Sequence, residues 1–192
     1  MFALWLAIFL PAFAVAADHE AAPGEEPAAI DLLVEGLELF RAEQYEAALP
    51  MLLSTLDVES DPKRLQQVNL ALGRIYLRNK KFDKALARIA AIPIALRDDE
   101  ARYVEGRALL AIQLTGEGVA ALQGINEQNL APVDRSIRLR ALAEGNAALG
   151  NFQKALWFAH QAINKSSADD ISKIYQFAAR IINREINPAL LP

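Results

Sequence analysis

From Leu70 to Leu86 the chain reads "LALGRIYLRNKKFDKAL", and its apolar positions fall into two helical stripes. Leu72, Ile75 and Tyr76 share one face up to the polar knot "RNKK", and Phe82, Ala85 and Leu86 begin a second face beyond it. Two short amphipathic helices joined by so tight a turn cannot bury both faces against each other, so neighbours of the same build are needed. The chain contains them. "AEQYEAALPML" begins at Ala42, "NKKFDKALARI" at Asn79 and "LGNFQKALWFA" at Leu149. Each sets an aromatic (Tyr45, Phe82, Phe152) three residues before an alanine (Ala48, Ala85, Ala155). A fainter copy, "LTGEGVAALQG", puts Ala120 in that role, with Glu117 where the aromatic would stand. The successive alanines are 37, 35 and 35 residues apart, a period that predicts a solenoid of helix pairs.

Local signals support the same division. Asp61-Pro62 reads as a helix start, with Asp as N-cap and Pro at the first helical position, and Ala131-Pro132 opens another. "SSADD" from Ser166 to Asp170 offers capping hydroxyls followed by acids near the helix dipole. After it, Ile171, Ile174, Tyr175, Ala178, Ile181 and Ile182 follow helical spacing, opposite Lys173, Asn183 and Arg184. A last helix with one apolar face closes the open end of such an array, and Pro188 stops it.

Period and residues together resemble the tetratricopeptide repeat, a helix-turn-helix unit of about 34 residues. The resemblance is clearest in the second copy, where Leu72, Gly73, Tyr76 and Ala85 match; Asn69 replaces the family's Trp and Ile89 its Phe. The first copy keeps Gly36 and Ala48, with Leu39 and Leu52 at the Tyr and Phe places. In the fourth, Leu142, Ala143 and Ala155 match and Asn146 stands where the Tyr belongs. In the third, Gly106 and Ala120 do not share one frame, which leaves its register open by about two residues. The expected fold is all-α: a right-handed α-solenoid of about four such hairpins plus a C-terminal capping helix. Its divisions are 30–62, 63–97, 98–131, 132–167 and a cap at 168–187, with 188–192 as a tail.

The first 17 residues, "MFALWLAIFLPAFAVAA", are apolar, fall short of the ~20 residues of a spanning helix, and end in small-x-small triplets. No Lys or Arg precedes the apolar core. The expectation is a signal peptide cleaved after Ala16 or Ala17, an exported and periplasmic protein, and no integral membrane span in the mature chain, with retention of the segment as an uncleaved anchor left open. Residues 18–29, with Pro23, Gly24 and Pro27, read as an acidic flexible leader.

The 192-residue chain has no Cys, which excludes disulfides and thiolate metal sites, and only two His, His19 and His160. Neither a metal nor a cofactor is expected. The net charge of −4 hides a division: 12 acids stand against one base from Asp18 to Asp61, and 19 bases against 12 acids from Lys63 onward. "TGEG" at Thr115 lacks the Lys and strand of a phosphate loop and falls where the turn of the third pair is due. His160 lies among packing residues, no nucleophile elbow is present, and no enzyme is expected. Nucleic-acid binding is disfavoured by export and by a pI of about 5.3.

The resemblance implies a protein-interaction module that grips a protein or peptide on the face lined by the first helix of each pair. Aligned first helices put Arg74, Arg78, Arg107 and Arg140 near that groove, with Asn69 and Tyr103 as companions. Arginines there suit an acidic segment. The family's clamp for chaperone tails needs a Lys and an Asn where this chain has Leu33 and Leu37, so that specificity is not carried over. The leading reading is an adaptor or scaffold subunit of a bacterial cell-envelope complex. The alternative is an accessory subunit or chaperone of a secretion or polymer-export machine, holding a client. Homo-oligomerisation is left open.

Overall fold

The computed structural model describes residues 31–183, and every regular element among them is helical. The expected signal peptide (1–17), acidic leader (18–29) and tail (188–192) lie outside the described residues, as does the end of the expected cap. The helices are α1 (Leu32–Arg41), α2 (Tyr45–Thr55), α3 (Pro62–Arg78), α4 (Phe82–Ala90), α5 (Asp99–Ala111), α6 (Thr115–Gln123), α7 (Pro132–Ala148), α8 (Phe152–Ile163) and α9 (Ala168–Ile181). Each odd helix packs on the even one after it, and each even helix also packs on the next odd one. The odd helices α1, α3, α5 and α7 lie side by side in that order.

All four turns inside the pairs close in the same way. Glu43, Lys80, Gln113 and Gly150 take the left-handed backbone conformation, at φ of 60°, 56°, 67° and 75°. The next residue's N–H then reaches five residues back, as in Lys81 to Tyr76 and Asn151 to Asn146, both 2.8 Å. This arrangement satisfies the last carbonyls of the first helix and fixes the reversal. Asp31, Asp61 and Asp98 accept N–H bonds at the starts of α1, α3 and α5, and Pro132 opens α7 at its first turn. Ser167 precedes α9 without capping it: its hydroxyl donates to Asp170 Oδ2 at 3.1 Å instead.

The helices of each pair cross at small residues. Ala48, Ala85 and Ala155 are fully buried, and a Cβ on Gly36 or Gly73 would stand 3.0 Å from Leu52 or Ile89. In the third pair the structure corrects the expectation. Ala120 is exposed; the crossing residue is Gly118, where a Cβ would meet Leu110 N at 2.9 Å and Gly106 O at 3.0 Å. Two backbones in such contact leave no room for a methyl, so this crossing is glycine on glycine. Thr115, not Glu117, then holds the aromatic's place, and "TGEG" forms the first turn of α6 rather than the loop before it. In the other pairs Tyr45, Phe82 and Phe152 are half-buried beside the crossing. Corrected, the crossing residues of the second helices are 37, 33 and 37 apart.

Leu52, Leu72, Ile75, Ile89, Leu122 and Leu142 are wholly enclosed, and Tyr76 is nearly so. A second cluster (Leu139, Ala143, Ala159, Ala162, Ile174) lies under α9. Of the apolar residues expected to bury on that helix, Ile174 and Ile181 do so, whereas Tyr175 and Ile182 remain exposed, with no further helix among the described residues to cover them. Connections between pairs are held by arginines. Arg97 Nε donates to Ile92 O at 3.0 Å and Arg135 Nε to Leu130 O at 2.9 Å, and the buried Arg138 reaches Leu122 O at 2.8 Å at the end of α6.

The corrected crossing gives a direct test. Gly118→Leu should lower unfolding stability by about 2–3 kcal/mol through overpacking. Ala120→Leu, two residues away on the open side, should change it by less than about 0.5 kcal/mol. Urea denaturation followed by circular dichroism measures both, and equal effects would mean that the crossing is misassigned.

Candidate functional site: a charged groove along the first helices

The odd-numbered helices bound a groove of ≈ 820 Å³. Leu77, Leu110, Ile137 and Ala141 supply apolar lining from α3, α5 and α7, and Phe40, Tyr45 and Phe82 stand at the end nearest the turns. The aliphatic chains and Phe40 reach the groove because helical spacing repeats the same face along each odd helix, whereas Tyr45 and Phe82 reach it from the first residues of α2 and α4.

Across the floor runs a chain of charges. Arg74 of α3 donates to Asp134 of α7, sixty residues on, and pairs with Glu100 in the first turn of α5 at 3.3 Å. Asp134 is buried at 6% exposure, so the pair is largely desolvated. Tyr103 lies between, with both the Arg74 and Arg107 guanidinium groups within 5.9 Å of its ring centre. Its hydroxyl accepts from Arg107 Nη1 at 2.9 Å. Burial pushes the Tyr103 phenol up to about 12; Arg107 opposes the rise and Asp134 adds to it. Burial likewise raises the Glu100 carboxyl above its usual value, against the pull of Arg74.

The other cations differ. Among the described residues, Arg78, Lys80 and Arg107 form no ion pair. Arg78 stacks over the Tyr45 ring at 4.7 Å and is exposed. Glu43 and Glu144 line the same groove as acids. Three such cations, two of them (Arg78 and Arg107) over aromatic rings, can bind a carboxylate and an apolar side chain together.

Of the residues expected in the groove, Arg74, Arg78, Tyr103 and Arg107 line it. Arg74 is not available to a partner, since Asp134 and Glu100 already hold it. Asn69 is a misplacement: it is 4% exposed, and its amide donates to Leu65 O at 2.9 Å within α3. Arg140 faces a separate cleft under α9 and pairs with Asp170 at 2.7 Å. Lys80 went unrecognised although the "RNKK" turn displays it. Nothing local in the sequence signals Asp134 as the partner of Arg74. Among the described residues no group of three or more His, Asp or Glu is placed to hold a metal, and no helix is long and apolar enough to cross a membrane.

A sequence model of the tetratricopeptide repeat matches residues 39–111, from the end of α1 through α5. Residues 39–111 belong to the tetratricopeptide repeat family. No curated protein matches the chain. Beyond the matched span the tetratricopeptide geometry continues, because α5–α6 and α7–α8 keep the same left-handed turn. Leu33 and Leu37, where the family's chaperone-tail clamp carries polar residues, are both buried against the neighbouring helices of this array.

Two measurements probe the floor. Arg74→Glu should cost about 3 kcal/mol, because it removes the only cation between two acids and adds a third. Arg78→Glu, on an exposed side chain, should stay within about 0.5 kcal/mol of the parent. Thermal denaturation separates them. For Tyr103, the folded state keeps its proton while the unfolded phenol loses it near its ordinary value of about 10. Its contribution to stability therefore falls as pH rises from about 10 towards 12. Ultraviolet titration should show one of the 4 tyrosines ionising late, and Tyr103→Phe should remove that phase.

Proposed function

We propose that this protein is an exported adaptor or scaffold whose groove binds an extended, acidic segment of a partner protein in the bacterial cell envelope. Tetratricopeptide repeats are an interaction fold, typically without catalytic activity. The observation that carries the finer reading is the set of three cations, Arg78, Lys80 and Arg107, which form no ion pair among the described residues and share the groove with aromatic and aliphatic side chains as well as the acids Glu43 and Glu144. A desolvating groove strengthens carboxylate pairing, while the rings supply apolar contact. The supports for export are the apolar opening stretch and its small-residue boundary at Ala14 to Ala17.

Affinity capture from the envelope fraction of the host, with the wild-type protein and with Arg78→Glu/Arg107→Glu, tests the groove. A stoichiometric partner should be held by the wild type, lost in the double variant, and weakened as salt rises above ~0.1 M. Retention by the double variant at low salt would overturn the acidic-segment reading. Intact mass of the same wild-type sample should show loss of 16 or 17 residues, and a soluble cytoplasmic protein retaining Met1 would overturn export.

A further inference from the structure

A second cleft, of ≈ 150 Å³, lies between α7, α8 and α9. Its floor is apolar: Ala143, Ala159, Ile174 and the half-buried Phe177. A cavity of this size accepts one ring or one branched aliphatic chain. Its rim is basic. Arg140 and Lys173 both bond to Asp170 Oδ1, at 2.7 and 3.4 Å, whereas Arg180 forms no ion pair among the described residues. Glu144 lines both this cleft and the large groove, so the two adjoin at one residue of α7.

We infer that α9, besides ending the array, completes the binding surface: its cleft is a socket for one Leu- or Phe-sized side chain of the segment held in the groove, with an adjacent carboxylate of that segment on Arg180. This rests on the groove reading above. The occupant follows from the chemistry of the walls. The small floor residues Ala143 and Ala159 leave room that a larger side chain would fill, and apolar burial there favours an aliphatic or aromatic group. Among the described residues Arg180 is the rim cation without a carboxylate, so an acid beside the anchor is favoured over a neutral or basic residue. The segment is thereby fixed in direction. Its acid-rich part lies over Arg78, Lys80 and Arg107, and its apolar anchor with flanking acid lies beyond Glu144.

The test uses the protein purified from its host on an array of immobilised dodecapeptides, with Asp, Glu, Lys, Leu and Phe varied in a Gly-Ser background. Bound peptides should be enriched in Leu or Phe next to an acid. Replacing that anchor by Gly, or the protein's Arg180 by Glu, should each weaken the best peptide about tenfold or more. Arg180→Glu is exposed and should leave the helical circular dichroism unchanged. A benzophenone amino acid in place of Phe177 should cross-link to the anchor residue. If peptides bind and are lost in Arg107→Glu, yet show no anchor preference and ignore Arg180→Glu, the socket is overturned and the groove stands. If no peptide binds, or binding ignores Arg107→Glu as well, the groove reading falls and the socket falls with it.

Discussion

The close crossing inside each helix pair governs the rest of the structure. Gly36 and Ala48, Gly73 and Ala85, Gly106 and Gly118, and Ala143 and Ala155 are each twelve residues apart and all buried, and Gly106 and Gly118 meet backbone to backbone. The constancy has a cause. The crossing, the left-handed turn residue and the five-residue reach of the closing hydrogen bond together leave one register in which both helices can return to contact. All variation in the period falls between pairs, where the crossings are 25, 21 and 25 residues apart. The difference of four is one helical turn, and it appears in α5, which has 13 residues where α3 and α7 have 17. The charged tie from Arg74 passes Glu100 at the start of that shortened helix.

The fold was legible because its signals are local. Apolar period, the proline starts at Pro62 and Pro132 and the aromatic-to-alanine spacing are all signals within one hairpin, and one hairpin implies its neighbours once its uncovered flank is counted. The register of the third pair stayed open by two residues, with Ala120 in the place of Gly118, for a physical reason. Its crossing uses glycine in both helices, so the alanine signal is absent, and the run "VAAL" supplies a decoy in Ala120 that faces solvent. The twelve-residue offset from Gly106 would have found Gly118, had the register been carried from the first helix rather than from the alanines.

The site was legible only in outline. Helical spacing brought Arg74, Arg78, Tyr103 and Arg107 to one face, but spacing says nothing about which charges neutralise one another. Arg74 finds its acids 26 and 60 residues away, in other pairs, and Arg140 finds Asp170 30 residues away on the cap. Asn69 shows the complementary error. A polar residue on a first helix reads as a contact residue, yet its amide bonds within its own helix and the side chain is enclosed.

The tie changes what the groove can select. By joining Arg74 to both Asp134 and Glu100 it makes the centre of the floor net negative, leaving cations without ion pairs among the described residues towards α3 and α5 and the acid Glu144 towards α7. The field along the groove therefore reverses, a property that the net charge of −4 conceals. Exposed charges such as Arg78 contribute more to approach and orientation than to affinity, because water and salt screen them. Affinity must come from the aliphatic and aromatic lining around Leu77, Phe82, Leu110 and Ile137. A segment that satisfies both demands carries its apolar side chains at intervals matching the odd helices and its acids on one side of them.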